Sequence, residues 1–124
     1  MKVRISANSI RFRLRQSEVQ YFKDQGEITE VTAFGPLPSE KLSFVLKSNS
    51  SNDFQVAYAG SSVTVQVPQT LCIEWTHTGL VGFSETIDIG KGEVISILVE
   101  KDFACLDASD IENEDAYPNP NLEC

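Results

Sequence analysis

Residues 2–15, Lys-Val-Arg-Ile-Ser-Ala-Asn-Ser-Ile-Arg-Phe-Arg-Leu-Arg, alternate polar and apolar side chains almost without a break. An extended chain sends successive side chains to opposite faces, so this pattern is satisfied by a strand with one covered face. Ile10, Phe12 and Leu14 then share one face, and Arg11, Arg13 and Arg15 the other. Val3 and Ile5 against Lys2 and Arg4 repeat the arrangement upstream, with Ala7-Asn8-Ser9 as the bend or bulge between them. A sheet therefore begins here, with an arginine comb on one of its faces. Adjacent like charges repel, so the comb calls for something negative.

The rest of the chain continues the sheet. Ser17-Glu18-Val19-Gln20 has the form of a capping box, and Gly26 supplies a left-handed stop. A short helix over residues 18–25 follows, with Val19 and Phe22 turned inward. Residues 27–34 form a strand with Ile28 and Phe34 on one parity, closed by Gly35-Pro36-Leu37-Pro38, since two prolines cannot donate to a ladder. Leu42, Phe44 and Leu46 alternate with Ser43 and Val45, Phe54, Val56 and Tyr58 with Gln55 and Ala57, and Val63, Val65 and Val67, after the Gly60-Ser61 turn, with Thr64 and Gln66. In residues 68–79, Leu71 and Trp75 stand at i and i+4 between Pro68 and Gly79, which favours a second helix, although Leu71, Ile73 and Trp75 also fit a strand. Val81, Phe83, Ile87 and Ile89 share a parity that Glu85 interrupts. Val94–Val99 is apolar on both parities and predicts a central strand with both faces covered. The expectation is an α+β fold, an antiparallel meander of about eight strands with two short helices. Curling toward a barrel would remove its edges.

At 124 residues the chain fits one domain with a core of its own. Its formal charge of −8 is uneven: seven of the 18 acids lie from Asp102 onward, where there is no Lys or Arg. Residues 1–106 are expected to form the globular domain, and residues 107–124 an acidic irregular tail docked on it. General nucleic-acid binding, which draws on Lys and Arg neutralising phosphates, does not suit this balance. No apolar run is long enough for a membrane span, and the opening residues lack a secretory h-region, so the expected compartment is the cytoplasm. Three cysteines, Cys72, Cys105 and Cys124, with no CxxC spacing, fit reduced thiols in such a compartment.

Three groups of residues could carry chemistry. Arg11, Arg13 and Arg15 could converge on a phosphate or carboxylate, dock the acidic tail, or simply form a solvated face paired with Glu27, Glu30 or Glu93. Cys105, Asp107, Asp115 and Cys124, with His77, offer thiolates and carboxylates to a divalent metal, but at no spacing of a finger, an EF-hand or a metalloprotease helix. His77 is the sole histidine, so any Cys–His or Ser–His catalysis must use it; no GxSxG accompanies it. Phosphate loops are absent, because Gly90-Lys91-Gly92-Glu93 is a hairpin turn.

Several phrases carry a resemblance. Asn8-Ser9-Ile10-Arg11-Phe12-Arg13-Leu14 followed by Ser17-Glu18-Val19, then Val81-Gly82-Phe83, the closing Leu98-Val99-Glu100-Lys101-Asp102-Phe103-Ala104-Cys105-Leu106, and Glu114-Asp115-Ala116-Tyr117-Pro118-Asn119-Pro120 together resemble a family of small bacterial proteins of unknown function. The resemblance spans nearly the whole chain and implies no activity. It does imply that the tail belongs to the folded unit.

The sequence thus leads to the expectation of a small soluble non-catalytic binding or interaction module without a cofactor, its arginine face covered by the tail or by an anionic ligand. The competing expectation is a small enzyme acting on a phosphorylated or other anionic substrate, metal-dependent through the tail. The partner would be a protein or a small anion, not a nucleic acid or a membrane.

Overall fold

The computed structural model describes residues 1–104 and 114–118. Each alternating stretch becomes a strand: β1 (Lys2–Ser6), β2 (Ser9–Leu14), β3 (Glu27–Ala33), β4 (Lys41–Asn49), β5 (Gln55–Ala59), β6 (Ser62–Pro68), β7 (Gly82–Gly90) and β8 (Glu93–Lys101). The two helices among the described residues are α1 (Gln16–Gln25) and α2 (Gln69–His77), so the stretch at residues 68–79 that fitted either helix or strand is helical. A 3-10 turn, Pro38–Glu40, follows β3. The protein is α+β, with eight strands and two α-helices among the described residues, as its residue pattern predicts. No helix among the described residues is long and apolar enough to cross a membrane.

The strands form two four-stranded sheets rather than a closed barrel. Sheet A has the order β1-β2-β8-β7 and sheet B the order β3-β4-β6-β5. Four hairpins give the antiparallel pairs of a meander, but the centre of each sheet is parallel: β2 with β8, and β4 with β6. Parallel neighbours cannot be joined by a hairpin. Each sheet is therefore closed by chain from both halves of the molecule.

This pairing exposes an internal two-fold repeat. In the parallel pairs Ile10 faces Ile97 and Phe44 faces Val63, so residues 10 and 63, and residues 44 and 97, stand in equivalent places. The same displacement, 53 residues, relates Val3 to Val56, Phe12 to Val65 and Leu46 to Val99 in the ladders. It also relates the inward side chains of the helices, Val19 to Cys72 and Phe22 to Trp75, all of them buried. Turn contacts obey it too: Ser96 N–H donates to Asn8 O and Ser43 N–H to Ser61 O, each at 3.0 Å. Phe22 and Trp75 meet each other edge to face at 6.1 Å between centroids, which puts the repeat's axis between the helices. Trp75 also meets Phe83 at 5.7 Å and donates its indole N–H to Val81 O at 3.1 Å.

The core is one contiguous cluster from both sheets and both helices, centred on Phe12, Leu14, Phe22, Leu46, Val65, Val67, Trp75 and Val99. Burying such side chains is worth about 1.5–3 kcal/mol apiece against leaving them in water. Some inward expectations fail at the strand tips, where the sheets run past the core: Phe34 and Tyr58 are 76% and 71% exposed. β8 is central, yet its outer side is open, with Val94 exposed and Leu98 half-buried.

The start of α1 also differs from the capping box centred on Ser17. Arg15 occupies the cap and donates its backbone N–H to Glu18 Oε1 at 2.9 Å. The predicted stop holds: Gly26 is left-handed at φ 78° and donates to Phe22 O at 2.8 Å.

Candidate functional site

The outward face of sheet A is built in rows across the strands. One row reads Lys2, Arg13, Glu100, Gly82; the next Arg4, Arg11, Leu98, Ser84; the third Ser6, Ser9, Ser96, Thr86. Two of the three comb residues, Arg11 and Arg13, thus stay together. Arg15 leaves the group because the chain turns into α1 at that point. Arg4 joins it instead, held opposite Arg11 by the β1–β2 hairpin.

Glu100 is the counter-charge. Its Oε1 accepts from Arg11 Nε at 2.5 Å, contacts Arg11 Nη2, and lies 3.0 Å from Arg13 Nε. None of the glutamates expected as partners takes this place, because only the parallel β2–β8 pairing brings position 100 beside position 13. Gly82 makes room for it: a Cβ there would stand 2.8 Å from Glu100 Cβ and 2.5 Å from Val99 O. Lys2 Nζ pairs with the buried Asp102 at 2.9 Å. Arg4 has no acidic partner among the described residues.

Beside the arginines the face is hollowed. A concavity of about 720 Å³ is lined by Arg4, Arg11, Ser9, Ser84, Glu85, Thr86 and Ser96 among others. That size suits a small molecule. Guanidinium groups over hydroxyls can bind an anion through charge-assisted hydrogen bonds.

The described part of the tail lies elsewhere. Asp115 accepts at the head of α1: its carboxylate takes Ser17 N–H at 3.1 Å and the Ser17 hydroxyl, and its backbone oxygen takes Gln16 N–H at 2.9 Å. Gln16 Nε2 donates to Ala116 O at 2.8 Å. Tyr117 N–H donates to Asp102 O and Ala104 N–H to Tyr117 O, at 2.7 and 2.8 Å. A carboxylate at a helix N-terminus satisfies unpaired N–H groups and favours the helix dipole. Nearby, the buried Lys101 donates to Thr78 O at the end of α2 at 2.8 Å, with its ammonium 5.4 Å from the centre of the Tyr117 ring. Burial holds Lys101 below its usual pKa. Tyr117 is pushed up by burial, then by the Asp115 charge.

Of the metal candidates, Cys105, Asp107 and Cys124 lie outside the described residues. Asp115 is engaged by Ser17, and His77 is exposed with Nδ1 2.9 Å from Ile73 O in its own helix. Among the described residues no three His, Cys, Asp or Glu are grouped to hold a metal ion.

Position 4 was within reach of the sequence. A two-residue turn at Ala7-Asn8 fixes Arg4 opposite Arg11 by counting outward from the bend. Glu100 carried no such local signal.

No curated protein and no solved structure matches this chain. A family model covers residues 1–121, and by that match the chain belongs to a family of unknown function, DUF7009.

Proposed function

We propose that this chain is a non-catalytic binding module whose outer sheet A face takes a small anionic ligand. One comparison within the molecule carries the reading. The repeat equates Arg4, Arg11 and Arg13 of sheet A with Ala57, Thr64 and Gln66 of sheet B, and Glu100 with Lys47. Sheet B has the same architecture with neutral residues at those three places, so the fold does not require arginines there. Like charges directly opposed across a strand pair, as Arg4 and Arg11 are, cost stability. A cost borne on one of two equivalent faces fits a task performed on that face.

Binding rather than catalysis is favoured by Glu100. Among the described residues it is the carboxylate paired with the arginines, and Arg11 and Arg13 occupy it from two sides, so it is not free to act on a ligand. A cytoplasmic setting agrees with the free thiol of Cys72.

The test is titration of the whole chain with inorganic phosphate, followed by thermal unfolding and by backbone amide shifts. Phosphate is expected to raise the midpoint and to move resonances of β1, β2 and β8, and Arg4→Gln to lose most of that response. Identical responses in the two proteins, or none in either, would refute the assignment.

A further inference from the structure

We infer that the ligand of this face is a phosphate monoester carried on a hydroxylated, non-aromatic body, an inference that rests on the anion-binding reading above. The charge count comes first. The two rows that hold the arginines carry four cations, Lys2, Arg4, Arg11 and Arg13, against Glu100 and the Asp102 that Lys2 reaches; Glu85 borders the hollow from β7, and Asp88 stands two rows beyond Ser84 on the same side of that strand. The surplus in the two rows is two positive charges. A phosphate monoester carries about −1.5 to −2 near neutral pH, with its second pKa near 6, whereas a carboxylate carries only one charge. The monoester dianion neutralises those two rows and a lone carboxylate does not.

Geometry agrees with the count. Arg4 and Arg11 are direct cross-strand partners. Side chains in that relation leave the sheet about 5 Å apart, so two guanidinium groups can close on one tetrahedral group from two sides.

The rest of the concavity defines the body of the ligand. Beyond the arginines lie Ser6, Ser9, Ser96 and Thr86 in one row, with Ser84 beside them. The Ser9 hydroxyl donates to Ser6 O at 2.8 Å, which leaves its lone pairs to accept. Ser96 and Thr86 are exposed and can both donate and accept. No aromatic side chain is among the residues lining the hollow. A nucleobase would find nothing to stack on, while a polyol would find partners for several hydroxyls.

Three probes separate the parts: methyl phosphate for the ester alone, ribose 5-phosphate for ester with polyol, and AMP for ester with polyol and base. With the full chain at pH 7.5, ribose 5-phosphate is expected to bind about tenfold tighter than methyl phosphate through added hydrogen bonds. AMP should show no gain over ribose 5-phosphate. Both simple esters should weaken at pH 5, where the phosphate has taken up one proton and carries a single negative charge. The double variant Ser96→Ala/Thr86→Val, at two exposed positions, should abolish the preference of ribose 5-phosphate over methyl phosphate. Equal affinity for the two esters, a gain with AMP, or no loss at pH 5 would overturn the ligand class and leave the anion site standing. No binding of any ester would overturn both.

Discussion

Replacing Glu100 by Gln keeps the volume of the side chain and an acceptor oxygen, and removes one negative charge from between two guanidinium groups. At the 3.0 Å separation from Arg13 Nε, one such pair has a raw attraction of about 5 kcal/mol at an effective permittivity near 20. Desolvation returns most of it: the Glu100 side chain is 16% exposed and those of Arg11 and Arg13 are each 33% exposed. Exposed pairs are worth about 0–1 kcal/mol and breaking a buried one costs about 3–5 kcal/mol, so this partly covered cluster should lose about 2 kcal/mol. With an unfolding entropy of about 2.1 cal/mol/K per residue, that lowers Tm by about 8 °C for a chain of this length.

The same substitution should strengthen anion binding, because Glu100 competes with any anion for the guanidinium groups. Phosphate should then recover more stability in Glu100→Gln than in the parent, up to about 2.7 kcal/mol at a hundredfold excess over Kd. Thermal scans with and without phosphate at low salt read both effects. A variant that melts with the parent and gains nothing extra from phosphate would show that Glu100 does not neutralise the arginines, and the charge surplus would lose its basis.

Asp115→Ala should cost about 1 kcal/mol, or about 4 °C in Tm at low salt, by uncapping α1 from the tail side, with part of the loss disappearing in high salt; an unchanged midpoint would mean the tail contributes no cap. Ala7 holds φ 47° where its repeat counterpart is Gly60 at φ 56°, so Ala7→Gly should stabilise the hairpin by about 0.5–1 kcal/mol in denaturant unfolding, and a loss would place that turn's stability elsewhere. Burial pushes the Cys72 thiol up, outweighing its hydrogen bonds. The native state therefore keeps a proton that the unfolded chain releases, and this contribution, complete below the unfolded pKa, is lost as pH rises through the folded one. Stability of the parent should fall more steeply between pH 8 and about 9.5 than that of Cys72→Ala, the slopes rather than the absolute values being compared; equal slopes would refute the assignment.

Local alternation made the strands legible. Ile10, Phe12 and Leu14 are inward, and the arginines between them outward, as period two requires. The helices were legible for a similar reason, since Val19 with Phe22, and Leu71 with Trp75, stand at helical spacing. Which strands meet was not legible. The β2–β8 and β4–β6 pairs join distant chain with no turn to fix their register, so Glu100 could not be assigned to the arginines. The repeat was hidden for another reason: its halves share size and burial class, as in Phe12 and Val65 or Phe22 and Trp75, rather than identity. The recurring apolar positions 10, 12, 14, 19, 22 and 63, 65, 67, 72, 75, followed by Gly26 and Gly79, were the available signal.

That hidden symmetry gives a way to separate residues that serve the fold from residues that serve something else. Where both halves agree, as at Leu46 and Val99 or Leu14 and Val67, packing alone accounts for the choice. Outward strand positions are freer, since water accepts many residues there, and their differences between halves carry information. Arg13 beside Glu100 corresponds to Gln66 beside Lys47: a bound acid between arginines on one sheet, an amide beside a lysine that faces Glu27 of β3 on the other. A fold that needed ion pairs to hold its parallel seam would place one in each sheet, because the seams are equivalent. Among the described residues only sheet A has one across its seam. The arginine–glutamate group is therefore explained less well by the seam than by the hollow it borders, where Glu100 fixes the guanidinium groups in place and still leaves the arginine rows with positive charge to spare.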